Sequence, residues 1–183
     1  MILILFLFIF LIVLTLIFKN RETFRNLINP KVKFMSISEG CNILKNVKEL
    51  NNYNDLDFKI RKINKKIYGN NVSKYYCEHL QDFTKTEKIL LKWLYDNLYE
   101  RTPTNLRFLY ENIKFAKYEN IIENGFPHTH SDVVFLTESF IHHIISYYNT
   151  NSVEEMIENI GVIIVHECVH IWQRKNKKIF YKL

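Results

Sequence analysis

Ile163-Ile164-Val165-His166-Glu167-Cys168-Val169-His170-Ile171-Trp172-Gln173 is the stretch on which the reading of this 183-residue chain turns. Its neighbourhood is helical. Ser152-Val153-Glu154-Glu155 is a capping box, with Ser152 as the cap and Glu155 at the third helical position. From there Met156, Ile157, Ile160, Ile163, Ile164, Ile171 and Trp172 follow one another through a single long helix that is apolar on nearly every side by Val165. A helix of that kind is buried. Gly161 in its interior costs roughly 1 kcal/mol against alanine and predicts a close approach of another backbone at that point.

Upstream of this helix the pattern changes. Residues 132–136 read as a strand, residues 113–117 alternate apolar and charged side chains as a half-exposed strand, and Glu123-Asn124-Gly125 turns the chain between them. Thr84-Lys85-Thr86-Glu87 is another capping box. Ile89, Leu90, Trp93, Leu94 and Leu98 follow it at helical spacing, which predicts a core helix of about four turns ending near Arg101, before Pro103. Residues 19–80 alternate Lys/Asn-rich stretches with short apolar groups and predict irregular structure and short helices. The expected fold is therefore α+β, a mostly helical domain with a small sheet beside a buried helix.

At the amino terminus, residues 2–18 carry no charge and are broken only by Thr15. As a helix they would extend about 26 Å, close to the roughly 30 Å of a hydrocarbon core. The run is long for a signal peptide and has no small residues before a cut, so it predicts an uncleaved single-pass transmembrane helix. Lys19, Arg21 and Arg25 follow it and favour a cytosolic position for the rest of the chain. Three parts are expected: a membrane anchor over 1–18, an irregular and helical lead-in over 19–80, and the main domain, which holds the buried helix, over 81–183. Cys41, Cys77 and Cys168 form no close pair, and their odd number leaves at least one thiol free, which favours a reducing compartment. The net charge of +6 is dispersed through lysine-rich stretches rather than gathered in an arginine and aromatic array, so no nucleic-acid partner is expected. Nothing in the sequence bears on oligomeric state.

The chemistry lies in His166-Glu167-Cys168-Val169-His170. Residues four apart share a helical face, so both imidazoles can converge on one metal ion while Glu167, about 100° around, reaches water at that ion. Zinc suits nitrogen donors, acidifies water and polarises carbonyls. Glu167 would take the proton from water and return it to the leaving amine. Three polar groups in an apolar helix cost several kcal/mol without partners, and a metal site supplies them.

This segment resembles the active-site helix of zincin metallopeptidases, in the gluzincin-like variant with Gln173 three residues past the second histidine. Pro127-His128-Thr129-His130-Ser131-Asp132-Val133-Val134-Phe135-Leu136 is similar to the histidine-then-strand element that precedes the helix in some of them. The resemblance covers residues 124–178. It implies a zinc-dependent hydrolase acting on a peptide or protein substrate, with His166 and His170 as metal ligands and Glu167 as general base. It also implies a sheet whose edge strand lies beside the helix, with residues 132–136 either that edge or an interior strand. His142 and His143 carry less weight, because adjacent helical residues face apart. A gluzincin takes its third ligand from a glutamate on a later helix, and residues 171–183 contain no Asp, Glu or His. Either the chain is truncated, the reading favoured by its apolar ending, or His128, His130, Glu138 or Glu154 supplies the ligand, or the site is inactive. The rival to the peptidase is accordingly a catalytically dead zincin-like binding module tethered to a membrane.

Overall fold

The computed structural model of the chain describes residues 31–69 and 71–180. Residues from Lys31 onward form one compact unit. It begins with strand β1 (Lys33–Phe34), then helices α1 (Ile37–Lys45), α2 (Asp55–Ile60), α3 (Lys65–Tyr68) and α4 (Val72–Glu78). Strand β2 (Leu80–Gln81), helix α5 (Lys85–Arg101), strand β3 (Lys114–Tyr118) and the hairpin of β4 (His128–His130) and β5 (Val133–Thr137) follow. Helices α6 (Glu138–Thr150), α7 (Val153–Met156), α8 (Val162–Lys175) and α9 (Lys177–Phe180) complete the described chain.

The strands make one mixed sheet in the order β1-β3-β5-β4, with β2 also pairing β3. β3 and β5 run parallel in register from Lys114↔Val133 to Tyr118↔Thr137. β4 runs antiparallel to β5 and ends the sheet. The pleat sends alternate side chains to opposite faces. Phe115, Val134 and Leu136 join Leu91, Leu94, Ile141, Ile164 and Cys168 in one core. Ala116, Tyr118, Val133 and Phe135 join Leu44, Tyr76 and Leu80 in another. The sheet is thus sandwiched, with α5, α6 and α8 on one side and α1 and α4 on the other.

Both capping boxes form, at Thr84–Glu87 and Ser152–Glu155. The predicted stripe of α5 is nearly right: Leu90, Leu94 and Leu98 are buried with Leu91 and Tyr95, but Ile89 is 62% exposed. The helix after Ser152 is less regular than its pattern predicts, for a π turn over Ile157–Gly161 joins α7 to α8. Met156, Ile160, Ile164 and Cys168 are all buried at four-residue intervals. On a 3.6-residue helix that spacing drifts by about 40° per step. A wider turn takes up one residue and holds the stripe on the core. A methyl group at Gly161 would meet the Leu98 side chain at 3.2 Å, so it is a side chain of α5, rather than another backbone, that approaches closely there.

Several expectations are corrected. No helix among the described residues is long and apolar enough to cross a membrane. The anchor expected over residues 1–18 lies outside the described residues; those described form a mixed helical and small-sheet domain with no spanning helix among them, and the single-pass localisation is withdrawn. β3 is an interior strand rather than a half-exposed one, since β1 and β2 pair one side of it and β5 the other. Its Lys117 is buried because Nζ donates to Glu87 Oε1 at 2.9 Å. The stretch read as irregular contributes two strands to the sheet besides its short helices.

Cys41 of α1 and Cys77 of α4 are joined by a disulfide, leaving Cys168 as the buried free thiol. This pairing removes the support that the cysteine count lent to a reducing compartment. The bond spans 36 residues of short helices, a loop for which chain entropy gives about 2–4 kcal/mol. Cys77→Ser is expected to lose about that much stability, read as a fall in the urea midpoint with a steeper slope, because the unfolded chain without the cross-link exposes more surface.

Candidate functional site

Helix α8 carries the site on the flank away from its buried stripe of Ile164, Cys168 and Ile171. His166 and His170, one turn apart, point their Nε2 atoms at each other at 2.9 Å, with ring centroids 4.4 Å apart. His170 Nδ1 lies 3.2 Å from Gln173 Oε1. An amide oxygen can only accept, so Nδ1 carries the hydrogen in that contact and Nε2 of His170 keeps a free lone pair. Without a cation the short Nε2 contact requires a hydrogen on His166 Nε2. With one, both nitrogens are donors to it. Two bonds of about 2.0–2.1 Å to a common tetrahedral ion place their nitrogens roughly 3.3–3.4 Å apart, so a few tenths of an ångström of ring rotation from the 2.9 Å contact brings the pair to two positions of one coordination sphere.

Glu167 is 6% exposed and has no hydrogen-bond partner among the described residues. Burial raises its carboxyl above the ordinary value of 4.5, against the opposing pull of His170, His166 and Arg174. A buried carboxylate without a hydrogen-bond donor has a strengthened affinity for a proton, the property a general base requires. Cys168, on the core side of the same turn, is pushed up to about 12 by burial and by the neighbouring Glu167. Its thiol is inert packing.

The four candidates for a third ligand do not join this pair. β4 places the rings of His128 and His130 on the α1/α4 face of the sheet. There His128 stacks on Tyr118 and Phe135 at 5.4 and 5.6 Å, and His130 meets Tyr76 edge-on at 5.3 Å. The helix α8 packs on the other face. Glu154 is on the surface, bonded to Arg101 at 3.1 Å, and Glu138 opens α6. His142 and His143 are exposed on α6, away from the pair. Among the described residues no group of three or more His, Cys, Asp or Glu side chains is placed to hold a metal ion. The expected zinc centre is therefore corrected to a two-histidine pair, with no third ligand for it among the described residues.

Of the two readings of residues 132–136, the structure has the interior one: residues 133–136 fall in β5, which is interior, and it is β4 that forms the sheet edge near α8. Two residues of the site were not singled out for a role by the sequence. Gln173 orients His170, and Arg174 donates from Nε to the Ser131 carbonyl at 3.1 Å and tethers the helix to the β4–β5 turn. The signal was available for both, since they stand three and four residues past His170 on the same helical face. No family model matches the chain, and neither the curated proteins nor the solved structures contain a match to it.

Proposed function

We propose that the chain is a metal-dependent peptide-bond hydrolase in which His166 and His170 hold the ion and Glu167 is the general base. The observation that carries this reading is the converging Nε2 pair with, on the adjacent residue, a buried Glu167 that has no hydrogen-bond partner among the described residues. A divalent ion such as zinc supplies Lewis acidity, polarising the scissile carbonyl and acidifying water. Glu167 accepts the proton that the attacking water loses and delivers it to the departing nitrogen. Its raised proton affinity suits both halves of that task. Gln173 fixes the His170 ring so that Nε2, not Nδ1, is turned toward His166, the nitrogen that would hold the ion. Two histidines are the protein's share of the ligands among the described residues.

Elemental analysis of the purified full chain tests the metal half. Close to one zinc per chain is expected after equilibration with zinc and gel filtration, and none in a His166→Ala/His170→Ala double variant. Folded wild-type chain that retains no metal would overturn the reading. The incomplete ligand set favours, as the second reading, a catalytically inactive zincin-like binding module. That reading predicts the same function in wild type and Glu167→Gln.

A further inference from the structure

On the α1/α4 side of the sheet a groove of about 460 Å³ runs between the end of α1 and the β4 edge, where Arg174 of α8 reaches its wall. Its lining includes Asn42, Asn46, Lys48, Glu49, His130 and Arg174. Lys48 and Arg174 stand against the single acid Glu49, and His130 adds no fixed charge, so these six residues leave the groove with a surplus cation. The guanidinium is held in place by its Nε bond to Ser131 O at 3.1 Å. Its Nη2 is sealed from solvent with no hydrogen-bond partner, and so is His130 Nε2. Among the described residues no carboxylate lies within ion-pairing distance of Arg174. Glu167 and Glu49 act on it only at longer range, while burial disfavours its charge.

A held, partly desolvated arginine on the wall of a groove is an arrangement that an incoming anion completes, because a buried cation is costly until it is paired. Arginine's fork matches a carboxylate, and charge-assisted bonds of that kind are the stronger ones. We propose that this groove is a carboxylate-binding subsite, in which Arg174, with Lys48 on the same groove, takes an acidic group of a peptide ligand. That the ligand is a peptide rests on the hydrolase reading above. The subsite would make Arg174 a specificity residue, one turn of helix from His170 and two from Glu167.

Binding to EDTA-stripped full chain tests this separately from metal binding and hydrolysis. Three fluorescein-labelled hexapeptides serve as probes: an amidated one with a central glutamate, its amidated glutamine counterpart, and the glutamine peptide with a free terminal carboxylate. The anisotropy titration is expected to show at least one of the two carboxylate peptides binding about tenfold tighter than the neutral one, the scale of one hydrogen bond to a charged group. Which of the two gains identifies a side-chain or a terminal carboxylate as the source. Arg174→Gln should abolish the preference. Lys48→Ala, at an exposed position where folding is not in question, should reduce it severalfold. Equal binding of all three peptides, a preference unchanged in both variants, or tighter binding of inorganic phosphate than of either acidic peptide would overturn the assignment. Metal-free chain that shows the preference keeps the subsite even if zinc is never bound, and the converse result leaves the histidine pair standing.

Discussion

Glu167→Gln is expected to keep the bound metal and to lose about 10²–10⁴-fold in peptide hydrolysis, the range that general acid–base catalysis contributes. Glutamine preserves the shape of the side chain and cannot accept the proton from water. Single-turnover rates on a quenched-fluorescence peptide, with zinc content measured on the same sample, separate lost chemistry from lost metal. The same substitution carries a second signature in metal-free protein. The folded chain binds a proton at Glu167 more tightly than the unfolded chain does. Stability from this group is therefore present below the ordinary carboxylate value and is lost as pH rises through the raised folded value. The glutamine variant has no such loss, so at neutral pH it should be more stable than wild type, with the gap closing in acid. Equal hydrolysis rates in the two proteins would remove Glu167 from the chemistry. A less stable variant at neutral pH would show that Glu167 is a satisfied structural residue.

Lys117→Met is expected to destabilise the fold by about 3–5 kcal/mol, because it leaves the Glu87 carboxylate buried and without its cation. Both side chains of this pair are only 8% exposed. Glu87 also accepts the Thr84 N–H at 2.7 Å and so closes the capping box of α5. Burial would raise the Glu87 carboxyl, but the Thr84 N–H and the Lys117 ammonium outweigh it and hold the group below the ordinary value. Its contribution is thus present above that value and lost as pH falls through the lowered one. In Lys117→Met the stranded carboxylate is relieved by protonation, so urea midpoints of the two proteins should converge as pH falls. A Lys117→Met protein as stable as wild type at pH 7 would show that the pair adds nothing to the sheet–helix contact.

The α5 and α7 starts were legible because a capping box is complete within four residues, and the pairing of His166 with His170 was legible because one helical turn is four. Gln173 and Arg174 were legible in the same way, once the helix was taken as a ligand-bearing face rather than as a core stripe alone. The π turn before α8 was not. It answers to the distance between the Met156 and Cys168 contacts in the core, which only the packed neighbours set. The anchor expected over residues 1–18 belongs to the part of the chain that lies outside the described residues.

What the chain's order of residues settled on its own is local: where helices begin, which face of α8 bears the ionisable groups, and the spacing that lets two imidazoles meet. The three-dimensional packing decided the rest. It paired Cys41 with Cys77, sank Lys117 beside Glu87, made β4 the edge in place of residues 132–136, and turned His128 and His130 to the face opposite α8. The physical reason is range. Helical period and caps act over one turn, whereas strand order, disulfide partners and the sharing of buried charge depend on segments tens of residues apart, whose meeting no local pattern encodes.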